Sequence, residues 1–433
     1  MHGTTGERAS GADGSTGERA TGAGDTTGER ASGAGDTTGE RASSADGSTG
    51  ERATGADGSA GERPTGAGDT TARDRTHQDV LRSTDLLTLT AALVAVPSVS
   101  GDEQELADLV ERRLRARAPR LTVHRVGNNV VARTEDGTAR AERVVLAGHL
   151  DTVPVMPRGP EPGGAGKVRG LGAVDMKGGL AVMLLLAEQT ADSAFDLTFV
   201  FYDKEEIGSR RSGMNLLFAE HRPLVVGDLA ILLEPTGGAV EAGCQGNLVV
   251  ELGFDGTRAH TARPWQGVNA IHRAAAALAR IAEHTPEPAV IDGLAYRQAM
   301  SVVAVEGGVQ GNVVPDRCTV RVNFRHAASL DSDAAAAVVT GLAPEADDAR
   351  VLLSSPPAPP DLRHPLVAAL CAATAAPVRP KLGWTDVGRF AVHGIPAVNF
   401  GPGDSELAHG PNEVVSEEEL ADCHAALYKL LSS

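Results

Sequence analysis

Apolar residues recur at helical spacing where the globular part of the chain begins, after about residue 84. Four of them share one face of a predicted helix: Leu86, Leu89, Leu93 and Val94. The break from Pro97 to Gly101 ends that helix. A second helix is predicted from about residue 102 to 117, because four further apolar residues fall on its inner face: Leu106, Leu109, Val110 and Leu114.

Short apolar runs follow these helices and predict strands at residues 121–126, 130–133, 144–147, 197–202 and 229–233, with an apolar helix at 179–188 among them. Near-continuous apolar strands that alternate with helices are typical of an α/β sheet covered on both faces. Functional groups of such sheets gather at the carboxyl ends of the strands. His149, Glu206 and Glu234 each follow one of these strands, so we expect them to converge.

The hydrophobic pattern changes beyond Gly246 and predicts a smaller, inserted α+β unit. Alternating strands at 248–254, 301–305 and 319–324 surround an alanine-rich helix at about 269–284. A proline-rich connector at 354–360 then leads back to a helix at 365–373 and a strand at 397–400. The predicted division is therefore a catalytic domain formed by residues 79–246 and 358–433, interrupted by an inserted domain at 247–357.

The beginning of the chain is a repeat of eleven residues, in which arginine recurs from Arg8 to Arg63. Each unit is rich in glycine and has no aliphatic residue larger than alanine, so residues 1–78 are predicted to be disordered. A tandem expansion without a role is the preferred interpretation, and an interaction or solubility arm is the alternative. The abrupt change of composition suggests the hypothesis that translation starts near Val80, which the intact mass of the native protein would test.

Composition and charge exclude several classes of protein. The 433-residue chain has a formal net charge of −17 and no clustered Lys/Arg surface, which argues against a nucleic-acid partner. The four cysteines lie far apart, which argues against a thiolate metal site or disulfide scaffold and favours the reducing cytoplasm. The longest apolar run, residues 180–187, ends at Glu188 and is too short to span a membrane, so no membrane partner is expected.

Five residues at strand ends and in loops have side chains that suit a pair of divalent metal ions: His149, Asp175, Glu206, Glu234 and His409. Imidazole nitrogen and carboxylate oxygen are zinc ligands, and cobalt or manganese could occupy the same groups. Two neighbouring ions need a shared carboxylate, and Asp175 is predicted to be that bridge. His149 and Glu234 are predicted to bind one ion, and Glu206 and His409 the other.

Asp151 and Glu205 are predicted to assist the chemistry without binding metal. Asp151 lies two residues after His149, so its carboxylate can accept the outer imidazole N–H, although a loop-capping aspartate has the same spacing. Successive side chains of an extended segment diverge, so Glu206 can face a metal while Glu205 stays free. Glu205 is then the candidate base that takes a proton from the attacking water and gives it to the leaving nitrogen. A solvated strand end is the alternative for this pair.

Motifs from about residue 84 to the C-terminus resemble those of the zinc aminoacylase and carboxypeptidase family. They are AGHLDTVP, GLGAVDMKGG, DKEEIGS, LLEPT, GTRAHTARPWQGVNAIH, GNVVPD, VNFR and NFGPGDSELAH. The resemblance implies a catalytic domain with two zinc ions, held by the ligands named above, and an inserted dimerisation or lid domain. It also implies a homodimer in which His260 reaches the partner's site to stabilise the oxyanion. Arg325 and Asn312 would grip the substrate carboxylate, and Thr385 would line the acyl pocket.

The resemblance implies hydrolysis of a small-molecule N-acyl amino acid. Two weaker signals, GWTDVGRF and RAHTARPW, favour cleavage of N-succinyl-LL-2,6-diaminopimelate to succinate and LL-2,6-diaminopimelate, a step towards lysine. Deacylation of N-acetylornithine or another N-acyl amino acid is the alternative within the enzyme class. A ligand-binding relative without catalysis is the alternative from a different class, and metal content together with any amidase rate would separate the two.

Overall fold

The computed structural model describes residues 67–135, 140–154, 164–190, 192–208 and 211–432. The helices are α1 Ala67–Arg82, α2 Leu86–Ala95, α3 Gln104–Arg117, α4 Gly178–Gln189, α5 Gly213–Glu220, α6 Ala270–Glu283, α7 Ser332–Gly341, α8 Pro365–Thr374, α9 Val387–Val392 and α10 Glu417–Leu431. The strands are β1 Leu121–Val126, β2 Asn129–Thr134, β3 Arg143–His149, β4 Lys167–Arg169, β5 Asp196–Tyr202, β6 Leu229–Leu232, β7 Val240–Ala242, β8 Gly246–Asp255, β9 Ala289–Ile291, β10 Leu294–Tyr296, β11 Ala299–Gly307, β12 Arg317–His326, β13 Asp348–Ser355, β14 Val378–Pro380, β15 Ala397–Asn399 and β16 Val414–Ser416.

A mixed eight-stranded sheet carries the first and last parts of the chain, in the order β1-β2-β5-β3-β6-β15-β7-β14. Its central strands β5, β3, β6 and β15 are parallel, whereas β2 runs antiparallel to β5 and β7 runs antiparallel to β15. This arrangement confirms the predicted α/β class. It also brings the carboxyl ends of four parallel strands to the same edge of the sheet.

The alternation of side chains along β3 shows why both faces of this sheet are covered. Val144 and Leu146 belong to one buried cluster, formed with residues of α2, α3, α4, α8 and α10. Val145 and Ala147 point to the other face and pack with residues of α5 and α9. A strand buried on both faces can be apolar at every position, which is the pattern that the sequence carries.

The second sheet has four antiparallel strands in the order β11-β12-β8-β13. Alternate residues of β12 are buried against α6 and α7, from Cys318 to Phe324, so one face of this sheet is covered by helices. β11 is an edge strand, and Val303 and Val305 on it are exposed. The strands and the alanine-rich helix lie where the sequence predicted them, while the domain limits at 247 and 357 stay a prediction.

The helix α1 corrects the predicted extent of the disordered tail. The sequence predicts that residues 67–78 belong to that tail, but they are helical, and Arg73 and His77 both contact the Glu105 carboxylate, at 2.6 and 2.7 Å. Val80 is fully buried, and its carbonyl accepts a hydrogen bond from the buried Arg113 guanidinium at 2.6 Å. The composition argument failed here because α1 is held by tertiary contacts, which its polar sequence does not reveal.

The rest of the predicted tail, residues 1–66, lies outside the described residues. The two interpretations of the repeat therefore stay predictions. A chain starting at Val80 would lack most of α1. Within the part of the chain that the structure describes, no helix has both the length and the apolar character needed to cross a membrane.

Candidate metal centre

His149 is the last residue of β3 and is almost fully buried. Its Nε2 lies 2.9 Å from Asp175 Oδ1, and its Nδ1 lies 2.9 Å from the carbonyl oxygen of Asp151. The Asp151 carboxylate is farther away, with Oδ1 at 3.5 Å from Nδ1. The outer imidazole nitrogen therefore faces both the backbone carbonyl and, at longer range, the carboxylate of Asp151, and the role of that carboxylate stays a prediction.

Asp175 lies between the two histidines of the site. Its Oδ1 contacts His149, and its Oδ2 lies 3.2 Å from His409 Nε2. The glycine-rich turn that precedes Asp175 requires glycine at position 172, because its φ is +81° and a Cβ there would lie 2.7 Å from Thr152 Cγ2. One carboxylate with an imidazole at each oxygen is the geometry expected of a bridging ligand.

The remaining ligand-type residues come from three other segments. Glu206 follows β5, and its Oε1 lies 2.9 Å from His409 Nε2. Glu234 follows β6 and is 6% exposed. His409 lies in the loop between β15 and β16 with a left-handed φ of +59°, and its backbone N–H donates to the buried Glu413 carboxylate at 2.9 Å. The C-terminal part of the chain thus completes a site that begins at β3.

Among the residues that the structure describes, three sets of side chains bring their potential ligand atoms within 4.8 Å of one another. They are His149 with Asp175 and Glu234, Asp175 with Glu206 and His409, and His149 with Glu205 and Glu206. The first two sets share Asp175 and coincide with the two groups predicted from the sequence. We call the residues of these two sets, His149, Asp175, Glu206, Glu234 and His409, the ligand cluster.

The electrostatics of the ligand cluster are those of crowded, buried acids. Burial, reinforced by the negative charge of Asp175, raises the pKa of Glu234 to about 8. Burial likewise raises the pKa of Glu205 well above its ordinary value. Hydrogen bonds with Asp175 and Glu206 raise the pKa of His409 to about 10. Although burial opposes it, hydrogen bonding to the histidines lowers the pKa of Asp175. Such a site favours positive charge.

Four further predicted residues lie on other segments of the chain. His260 is exposed, and the backbone segments that carry it and Asn312 are joined by a bond from Thr261 N to the Asn312 carbonyl at 3.1 Å. Arg325 lies on β12 and is half-buried. Thr385 is buried, and its hydroxyl donates to Asn399 Oδ1 at 2.9 Å. The structure neither joins these four residues to the ligand cluster nor assigns them a role.

Sequence reasoning missed several buried polar residues around the cluster. Glu413 holds the His409 loop, and Glu103 and Asn129 bind the backbone just before Glu205. A weak signal existed for two of them, because Glu413 lies four residues after His409 and Glu103 lies in the polar break that precedes α3. The backbone groups that Glu103 and Asn129 bind before Glu205, however, are distant from them in the chain.

The profile of peptidase family M20/M25/M40 matches residues 145–433 of the chain. A protein of Mycobacterium tuberculosis strain H37Rv, described as a putative succinyl-diaminopimelate desuccinylase, is 47% identical over 337 residues, which are 76% of this chain and 93% of that protein. The succinyl-diaminopimelate desuccinylase of Corynebacterium glutamicum is 41% identical over 357 residues, which are 80% of this chain and 96% of that protein.

Solved structures share the fold at lower identity. Aminopeptidase PepT from Bacillus cereus superimposes with a TM-score of 0.66 at 23% identity, over 82% of this chain and 99% of that one. An M20 family metallo-carboxypeptidase from Sulfolobus solfataricus gives a TM-score of 0.65 at 19% identity, over 81% and 99%. At these identities the likeness concerns the fold alone.

Proposed function

Because the chain belongs to peptidase family M20/M25/M40, we propose that it is a metal-dependent amide hydrolase that converts N-succinyl-LL-2,6-diaminopimelate and water to succinate and LL-2,6-diaminopimelate. The observation that carries amide hydrolysis is the convergence of the ligand cluster beside the partly buried acid Glu205. The names of the two actinobacterial relatives support the succinyl substrate.

The donor set fits two divalent cations. Four carboxylates, those of Asp175, Glu205, Glu206 and Glu234, gather around two histidines, and the raised pKa of Glu234 reports their mutual repulsion and burial. His149 and Glu234 would hold one ion, Glu206 and His409 the other, and Asp175 both. Two bound ions, which we propose to be zinc with cobalt or manganese as substitutes, would polarise the amide carbonyl and acidify the attacking water.

Glu205 is proposed to move the proton. Its backbone N–H is anchored on Asp151 Oδ1 at 3.0 Å, so the side chain has a fixed origin beside the ligand cluster. The carboxylate takes a proton from the water that adds to the amide carbon, and burial favours the protonated form that results. The proton then passes to the nitrogen as the C–N bond breaks, which gives a carboxylic acid and an amine. No other proton carrier is required.

Arg325 is proposed to bind a carboxylate of the substrate. Its guanidinium is half-buried, and burial alone lowers its pKa, with no carboxylate among the described residues acting on it. A partly buried arginine without an acidic partner is suited to bidentate binding of a ligand carboxylate. Asn312 and Thr385 are proposed as further contacts to the substrate carboxylate and the acyl group.

A homodimer and a cytoplasmic location belong to the same proposal. His260 is exposed and lies outside the ligand cluster of its own chain, which supports a role for it in the partner's site as an oxyanion donor. The exposed edge strand β11, with Val303 and Val305, offers a surface on which two copies could meet.

The test is a comparison of substrates on the purified, metal-replete full chain. We expect release of succinate from N-succinyl-LL-2,6-diaminopimelate that exceeds release of acetate from N-acetylornithine, and that a chelator abolishes. Glu205→Gln should lose at least about a thousandfold in kcat while retaining metal. The exposed Glu220→Gln is the matched control and should be unchanged. Metal-replete protein that releases no succinate would refute the proposal, and faster acetate release would reassign the substrate.

A further inference from the structure

The turn that carries Glu205 and Glu206 is held by its backbone. Four consecutive N–H groups, those of residues 203–206, each donate to a side-chain oxygen from another part of the chain. In order, the acceptors are Asn129 Oδ1 at 3.0 Å, Glu103 Oε1 at 3.3 Å, Asp151 Oδ1 at 3.0 Å and Asp151 Oδ2 at 3.1 Å. Neither a helix nor a sheet ladder satisfies these four donors, so side chains do.

Glu103 is the second acceptor in this series, and it is fully buried. Its Oε1 accepts from Gly101 N at 2.7 Å as well as from Lys204 N, which ties the start of α3 to the turn. Lys204 has a left-handed φ of +58°, a conformation that costs a residue with a side chain about 1–2 kcal/mol. The turn therefore needs an external anchor at Lys204, and the Glu103 carboxylate supplies it.

We propose that Glu103 is a positioning residue that fixes Glu205 and Glu206 through the backbone N–H of Lys204. The proposal rests on the function proposed above, since it assigns Glu205 to proton transfer and Glu206 to metal binding. Lys204 immediately precedes Glu205, so a rotation of the peptide at Lys204 swings both following side chains. Loss of the carboxylate leaves the Lys204 N–H without its acceptor and releases that rotation.

Two substitutions of Glu103 and one of the neighbouring Asn128 distinguish a positioning role of Glu103 from a general contribution to the stability of the fold. Glu103→Ala removes the acceptor, whereas Glu103→Gln keeps an oxygen that can accept from both Gly101 N and Lys204 N. Asn128→Ala is the matched control, because Asn128 Nδ2 donates to Glu103 Oε2 at 3.4 Å and does not contact the Oε1 that accepts from Lys204 N. All variants are made in the full chain and loaded with zinc.

Three quantities are measured: the affinity for Zn²⁺ by competition with a chromophoric chelator, kcat and KM on the succinyl substrate, and the melting temperature. We expect Glu103→Ala to lose about 10- to 100-fold in both Zn²⁺ affinity and kcat, with KM within about twofold of the parent value. Glu103→Gln should recover most of both losses, and Asn128→Ala should match the parent chain. A lower melting temperature without losses of Zn²⁺ affinity and kcat would not support the proposal.

A folded Glu103→Ala protein with the parent Zn²⁺ affinity and kcat overturns the proposal, even if it melts earlier, because the residue is then only structural. Equal losses in Glu103→Gln and Glu103→Ala also overturn it, since the acceptor oxygen would not be what matters. If Glu103→Ala does not fold, Glu103→Asp, one methylene shorter, takes its place with the same expected losses. If the parent chain binds zinc but releases no succinate, the proposed function is refuted. The Zn²⁺ affinities of the Glu103 variants would still decide whether Glu103 positions the turn.

Discussion

Replacing Glu413 by alanine should weaken metal binding by the half of the site that contains His409. The Glu413 carboxylate, 2% exposed, accepts from His409 N at 2.9 Å and, at a longer 3.5 Å, from Val174 N just ahead of Asp175. One side chain thus joins the two loops that carry the proposed bridging ligand and the last ligand in the chain. Without it, His409, whose φ is left-handed, loses the acceptor of its backbone N–H.

The expected magnitude follows from the groups that lose their acceptor. A buried donor without a partner costs roughly 1–3 kcal/mol, and Glu413→Ala leaves two donors, His409 N and Val174 N, without their acceptor. Because His409 N is only part-buried, we expect the unfolding free energy to fall by about 2–3 kcal/mol in total, near the low end of the sum for two donors. Residues that orient metal ligands typically change affinity by about 10- to 100-fold when removed. Zn²⁺ affinity should therefore fall by that factor.

The assay is a Zn²⁺ titration against a chromophoric chelator, combined with urea unfolding of the metal-free protein. Glu406→Ala is the matched control, since Glu406 is an exposed acid in the same loop and should change neither quantity. Parent-like Zn²⁺ affinity in folded Glu413→Ala would show that the His409 loop keeps its shape without the carboxylate, and the reasoning would be wrong.

Three further predictions concern the substrate, the pH dependence and the start of the chain. Arg325→Ala should lower kcat/KM about 100-fold through KM without changing the melting temperature, whereas Arg321→Ala on the same strand should leave kcat/KM unchanged; equal effects in kinetics would exclude the carboxylate role. In metal-free protein, the pKa of His409 is raised from 6.5 to about 10, so its stabilising contribution is complete below pH 6.5 and is lost as pH rises towards 10. The melting-temperature gap between the parent and His409→Asn should therefore shrink over that range, and a widening gap would contradict the assignment. Deleting residues 1–66 should leave the unfolding free energy unchanged, whereas deleting residues 1–82 should lower it by roughly 2–4 kcal/mol through loss of α1; similar urea midpoints for the two deletions would show that α1 adds nothing.

Elements with strong periodic patterns could be predicted closely from the sequence. The strand predicted at 121–126 is β1, and the helix predicted at 179–188 is α4 with one residue added at each end. Short strands such as β7 and β14 have three residues each and lie at the far edge of the sheet, so no period could be recognised in them. The helix α1 was missed because its residues are mostly polar and follow a repeat of similar composition.

The candidate site likewise has one part that could be predicted from the sequence and one part that could not. Its ligand-type residues could be predicted because strand ends and motif spacing place His149, Glu206 and Glu234 at one edge of a parallel sheet. The acceptors that hold their backbone, such as Glu103 and Glu413, could not be predicted, because which N–H a buried carboxylate meets depends on tertiary packing. For Asp151, the sequence predicts a contact of its carboxylate with His149, but not that this carboxylate also accepts from the backbone N–H groups of Glu205 and Glu206.

The position of β15 constrains how this molecule can be made. β15 lies inside the main sheet, between β6 and β7, although it is among the last strands to be synthesised. A nascent or shortened polypeptide that ends before residue 397 would leave the ladder groups of β6 and β7 open to other chains, a template for aggregation. The core therefore cannot be complete before β15 has been synthesised, and prematurely terminated products should be cleared by proteolysis rather than accumulate as inactive but folded protein.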